Sequence, residues 1–208
     1  MLEKIHTELI FRYSKNPSEA NVLWKEILEN HTKKNRFYHT ITHLENIYKH
    51  LVPIKSRIKD WDMILFAIFY HDFVYNILKK NNEEKSADKA AHILQSLDIE
   101  NKRVSLCRQM IIATKGHQLS ENDDINYFTD ADLGILGEKW ENYEIYIKAV
   151  RKEYSYYPDF LYNPGRIKVL NHFLKMPRIF KTDHFYNTLE GKAKQNLCIE
   201  IKMLSGSV

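Results

Sequence analysis

The chain has 208 residues with 31 Lys and Arg against 27 Asp and Glu, a net charge of +4, and 44% hydrophobic residues. That length and balance suit a globular chain with enough apolar material for one large domain. Charges of both signs are evenly spread, which argues against a nucleic-acid partner, and no apolar run reaches the 18 residues of a membrane span.

Gly (6) and Pro (5) are scarce, and long segments carry apolar residues at helical spacing, so an all-α single domain over 1–208 is expected. Residues 2–13 place Leu2, Ile5, Leu9, Ile10 and Tyr13 on one helical face. Their start lacks the apolar core of a signal peptide. Asn16-Pro17-Ser18-Glu19 reads as a cap, a first-turn proline and an acidic residue opening a helix with Val22, Leu23, Trp24, Ile27 and Leu28. The polar stretch from His31 to Arg36 leads into a helix striped by Ile41, Leu44, Ile47, Tyr48 and Leu51, with Pro53 ending it. If that helix begins by Tyr38, His39 and His43 lie one turn apart on one face.

Asp60 can cap the next helix, an almost wholly apolar run from Ile64 to Tyr70 that closes on His71-Asp72. A polar connection over 73–85 contains Glu83, Glu84 and Lys85. Helices are expected over 86–97 and, capped by Asn101, along Val104, Cys107, Met110 and Ile111, with Gly116 ending the latter. A loop with Glu121, Asp123 and Asp124 precedes Phe128-Thr129-Asp130-Ala131-Asp132-Leu133. A long helix over 138–157 follows, then breaks at Pro158 and Pro164-Gly165, and helices over 166–176 and 187–204. Cys107 and Cys198 fall in apolar helical patterns and read as reduced core thiols, which points to a cytoplasmic protein.

A buried imidazole and a buried carboxylate are costly unless paired, and a metal ion is one partner that serves both. His39, His43, His71, Asp72 and Asp130 or Asp132 occur in order in apolar settings on different predicted helices. Mixed imidazole and carboxylate ligands from several helices are a common way to build a metal site in a helical core.

This order, His then His-Asp then Asp, resembles the HD superfamily of metal-dependent phosphohydrolases over about residues 36–154. Tyr38-His39-Thr40-Ile41-Thr42-His43 is similar to the Tyr-His-Asn-x-x-His signature of cyclic-nucleotide phosphodiesterases, in which the first His is a general acid and the second a metal ligand. Thr40 departs from that signature and the long nucleotide-pocket sequences are absent, so cyclic nucleotides are not implied. The whole chain looks closer to a bacterial group of uncharacterised predicted HD phosphohydrolases, through Arg36-Phe37-Tyr38-His39, Phe69 to Tyr75, Asn82-Glu83, Ser86-Ala87, Thr114 with His117, Asp130 to Gly137, and Arg151 with Glu153-Tyr154.

The resemblance implies an all-α bundle and assigns His43, His71, Asp72 and Asp132 as metal ligands and His39 as general acid. His39 stays the alternative to His43, and Asp130 the alternative to Asp132. His117 is a second acid candidate. Glu83 and Glu84 could order a bound water or a second ion; Lys115, Arg36 and Arg151 are candidates to meet substrate phosphate. For Arg151 a local salt bridge is the competing reading, and for His92 a surface or filler role. One or two divalent ions are expected, with Mn, Fe, Co, Ni, Zn or Mg open. The implied reaction is hydrolysis of a small phosphate ester, such as a nucleotide, by metal-activated water. A non-catalytic metal or nucleotide sensor and a di-iron oxygenase on the same fold are the rival readings.

Overall fold

The computed structural model describes residues 1–14 and 16–206. The protein is all-α: there are ten α-helices, two 3-10 turns and no strand among the described residues. The chain divides into two compact units, Met1–Thr129 and Asp130–Val208. No helix among the described residues is long and apolar enough to cross a membrane.

The first unit holds α1 (Leu2–Ile10), α2 (Pro17–His31), α3 (Ile41–Leu51), a 3-10 turn (Val52–Arg57), α4 (Trp61–Tyr70), α5 (Asn82–Ser96), α6 (Asn101–Ala113) and most of α7 (Asp123–Asp132). It is built around α4, which packs against α1, α3, α5 and α6. Met63 to Tyr70 are each at most 1% exposed, so the helix has no solvent face. Enclosing each large side chain there contributes about 1.5–3 kcal/mol.

A helix this apolar needs its ends fixed by polar groups, and its start shows how. The Asp60 carboxylate accepts from the Met63 N–H at 3.2 Å and takes both arms of the Arg103 fork at 2.7 Å. Burial works to raise the Asp60 pKa, but these bonds outweigh it and hold the group below its ordinary value. Asp124, itself buried, accepts from the N–H groups of Lys59 and Asp60 at 2.9 and 2.8 Å. Asp62 accepts from the Tyr13 hydroxyl at 2.6 Å and pairs with Arg12. The expected cap at Asn16 is present, accepting from the Ser18 N–H at 3.0 Å.

The second unit holds the end of α7, a 3-10 turn (Leu133–Gly137), α8 (Trp140–Glu153), α9 (Asp159–Lys175) and α10 (Asp183–Leu204). α10 lies directly on the Leu133–Gly137 turn: a Cβ at Gly137 would sit 2.8 Å from the Leu189 carbonyl oxygen, a contact only glycine permits. Asn196 donates to the carbonyls of Leu136 and Glu138 at 2.9 Å, clamping the turn onto α10. The buried Glu200 carboxylate takes the Arg166 fork at 2.7 and 3.1 Å and a bond from the Tyr143 hydroxyl.

Several boundaries differ from the sequence expectation. α3 starts at Ile41, because Thr40 is extended, so His39 lies outside the helix. α3 does end at Leu51, as Pro53 implies, but Val52 and Pro53 then open a 3-10 turn. α5 begins at Asn82, and Glu83 and Glu84 form its first turn, where acidic groups suit the helix dipole. Glu100, not Asn101, stands at the α6 cap position. The left-handed residue after α6 is His117 at φ 50°, not Gly116. Pro164 lies inside α9. The carbonyl four residues back, which it leaves without an N–H, belongs to exposed Phe160, so solvent can serve it. Cys107 is buried as expected, but Cys198 is exposed; neither is in a disulfide.

Candidate metal centre

α4 ends where its apolar run ends, and His71 occupies the cap position, with its N–H still bonded to the Ala67 carbonyl. That turns the imidazole inward: His71 is 2% exposed and His43, in the first turns of α3, is 3% exposed. Their Nε2 atoms lie 3.2 Å apart. Asp72 Oδ2 is 2.9 Å from His71 Nε2 and 3.6 Å from His43 Nε2. Phe128 of α7 packs edge-on against the His71 ring, with centroids 5.7 Å apart.

The protonation of His71 follows from its other nitrogen. Nδ1 lies 3.1 Å from the Ile68 carbonyl oxygen, which can only accept, so Nδ1 carries the proton. Neutral His71 then directs an Nε2 lone pair toward a carboxylate oxygen and a second imidazole nitrogen. A proton among these three atoms satisfies one contact; a cation satisfies all three. Donors about 2.1 Å from a tetrahedral ion stand about 3.4 Å from one another, close to the spacings found. The residues present therefore fit a divalent metal, and two imidazoles with one carboxylate suit a transition ion. Burial works to raise the pKa of Asp72, whereas positive charge on His71, His39 and His43, or on a cation held among them when His71 is neutral, works to lower it.

His39 is half-buried beside this cluster. Its ring lies 5.7 Å from the His43 ring and 4.3 Å from Tyr75, while Tyr38 is 4.8 Å from His43. Thus His39 and His43 are neighbours although only His43 is helical.

Arg36 does not stand as an open phosphate clamp. It is buried, its guanidinium donates to the His39 carbonyl at 3.1 Å and the Phe73 carbonyl at 3.0 Å, and it lies over the Tyr75 ring. Glu84 and Lys115 form an ion pair with each other, and Lys115 also donates to the Lys80 carbonyl at 2.9 Å. Glu83 precedes Glu84, partly exposed, and His117 is partly exposed in the turn after α6. His92 is on the surface.

In the second unit Asp130 is wholly buried and accepts from the N–H groups of Lys181 and Thr182 at 2.9 and 2.8 Å, and from the Thr182 hydroxyl at 2.7 Å. Its oxygens are thereby committed to the start of α10. Asp132 is the last residue of α7 and partly exposed. Arg151 bonds Asp159 at 2.7 Å and the carbonyls of Tyr154 and Tyr157 at 3.0 Å, with its guanidinium over Tyr162. Arg151 is thus in a local salt bridge, with Asp159 as the partner.

One histidine was missed from the sequence. His31, the last residue of α2, is fully buried; its Nδ1 lies 2.8 Å from the Ile27 carbonyl and its Nε2 has no hydrogen-bond partner. Burial first, then the charge of Arg36, push its pKa down to about 3, and the charges of Asp72 and His71 also act on it. The signal was present: Leu23, Ile27 and His31 continue one stripe at intervals of four.

No family model matches the chain. Over 145 residues, 67% of its length, the chain is 26% identical to one of the subunits of the ATP-dependent helicase/deoxyribonuclease of Clostridioides difficile (strain 630). The chain spans only 12% of the length of that relative. No solved structure matches.

Proposed function

We propose that the protein is a metal-dependent phosphohydrolase of the HD type, acting on a nucleotide or another small phosphate ester. The observation that carries the reading is the convergence of His43 Nε2, His71 Nε2 and Asp72 Oδ2 within 3.6 Å of one another, the two histidines buried and Asp72 partly exposed. The sequence order adds Asp132 as a further ligand. It lies four residues after Phe128 and so on the same face of α7. When bound, a divalent ion supplies Lewis acidity: it acidifies water toward neutral pH and offsets phosphate charge.

The chain's own groups divide the remaining work. Ile68 fixes the His71 tautomer, so that Nε2 is always the donor atom. Asp72 supplies the negative charge. His39, beside the cluster but partly open to solvent, holds the proton that the leaving oxygen needs. The free thiols suit a cytoplasmic setting.

The test is metal analysis of the purified chain, followed by a screen of nucleotides and phosphate esters with Mn, Co, Ni and Mg. About one or two ions per chain, and turnover that disappears in His71→Ala, are expected. Metal without turnover would move the reading to a sensor, a spectrum that changes on exposure to oxygen would move it to a di-iron oxygenase, and no metal at all would end it.

A further inference from the structure

We infer that Arg36 is a positioning residue of the metal centre: a buried brace that holds the His39 segment and the His71-Asp72 segment in register. The inference rests on the metal-centre reading above.

The two segments are far apart in sequence and both lie outside regular helix where it matters. His39 precedes α3, and Phe73 follows the end of α4. His39 stands outside the α3 ladder and the α4 ladder stops at His71, yet His39 and Asp72 must be held against the donor atoms of His43 and His71 with little play. The Arg36 fork spans them, one nitrogen on the carbonyl of His39 and the other on the carbonyl of Phe73, the residue next to Asp72. Its planar face lies 5.3 Å from the centre of Tyr75, and Tyr75 in turn lies against the His39 ring, with the planes inclined by 31°. One side chain therefore touches the general-acid candidate's backbone, the carboxylate ligand's neighbour and the ring that backs His39.

Guanidinium is the side-chain group suited to this task. It offers several N–H donors in a fixed plane and tolerates burial against an aromatic face, which an ammonium does neither as well. Two carbonyls 34 residues apart in sequence are both reached from it.

Charge and geometry predict opposite signs here, and this makes the inference decidable. A fixed positive charge near a cation site disfavours the cation. If Arg36 acted through charge alone, removing it would tighten metal binding. If it acts as a brace, removing it weakens binding by about 10- to 100-fold, the usual worth of a group that orients a ligand.

The test is Co(II) titration of the full chain, read by visible absorption, for wild type, Arg36→Ala and Arg36→Lys, with thermal melting to follow the fold. Arg36→Ala is expected to bind Co(II) about 10- to 100-fold more weakly with an altered spectrum, and low-millimolar guanidinium is expected to restore both. Arg36→Lys keeps the charge but not the fork, and is expected to weaken binding and not respond to guanidinium. If Arg36→Ala does not fold, Arg36→Lys decides alone. Wild-type affinity and spectrum in a folded Arg36→Ala or, failing that, in Arg36→Lys overturn the brace while leaving the metal centre standing, and tighter binding does the same. A wild-type chain that binds no metal overturns both.

Discussion

Both ends of α4 gather ionisable side chains, but to opposite purposes. At its start, Asp60, Asp62 and Asp124 are closed pairs: each carboxylate is met by backbone N–H groups, by Tyr13, or by the forks of Arg12 and Arg103. At its other end, His71 and Asp72 meet His43, and the three facing atoms are all of the kind that give electron pairs. The first arrangement is complete within the chain and fixes where the helix begins. The second, on the reading proposed above, is satisfied best by a cation. Acid clusters thus divide by what faces them, not by how many acids they hold.

The contrast can be broken most sharply by mutation at the two ends. His71→Ala or Asp72→Ala should empty the centre and take turnover to background, while leaving a cooperative melt; metal analysis and calorimetry on the same samples check it. A variant that kept its metal would place the site elsewhere. Next in size, His39→Ala should keep its metal and lose about 10²- to 10⁴-fold in rate, with a smaller loss on esters whose leaving group needs no proton. A metal-free His39→Ala would exchange the roles of His39 and His43.

Acid should reach the core before it reaches the paired carboxylates at the start of α4. His6 is fully buried between Trp24 and Phe69, neither ring nitrogen has a partner, and burial lowers its pKa from 6.5 to about 4. The unfolded chain therefore binds this proton more readily than the folded one. Stability from neutral His6 is whole above pH 6.5 and falls as the pH drops toward 4, by about 3 kcal/mol over that span. Denaturant melts of wild type and His6→Phe from pH 7 to 4 test this, since the variant should lose the His6 share of the slope and keep the share of His31, whose pKa burial also lowers. A smaller effect is expected at the start of α4. Asp60→Ala removes a cap and a forked ion pair and should cost about 2 kcal/mol in denaturant unfolding, with metal content unchanged. Metal loss there would show that the two ends are coupled.

Much of the helical pattern was legible because it is local. Asn16 caps α2, Asp60 caps α4, and the apolar stripes mark the buried faces. The pairing of His71 with Asp72 and His43 was legible from order and setting. What could not be read depends on neighbours distant in sequence. Arg36 looks like a surface cation until the carbonyl of Phe73 is brought to it. His31 is a different case: it continues the stripe of Leu23 and Ile27 and so was legible, although the polar stretch it opens points the other way. Asp130 and Asp132 look alike in the chain; the backbone of Lys181 and Thr182 takes up Asp130. Local rules also misjudged Gly116, because His117 takes the left-handed turn, and Pro164, because α9 runs through it.

The enclosure of α4 has a consequence for how this sequence can drift. A helix with one solvent face lets half its letters wander without penalty. From Met63 to Tyr70 there is no such face, so each change of size leaves a void or forces an overlap in tightly packed surroundings. The eight letters leading into His71-Asp72 are therefore the stretch where descendants of this chain have least room to differ, even though none of those letters is a candidate ligand.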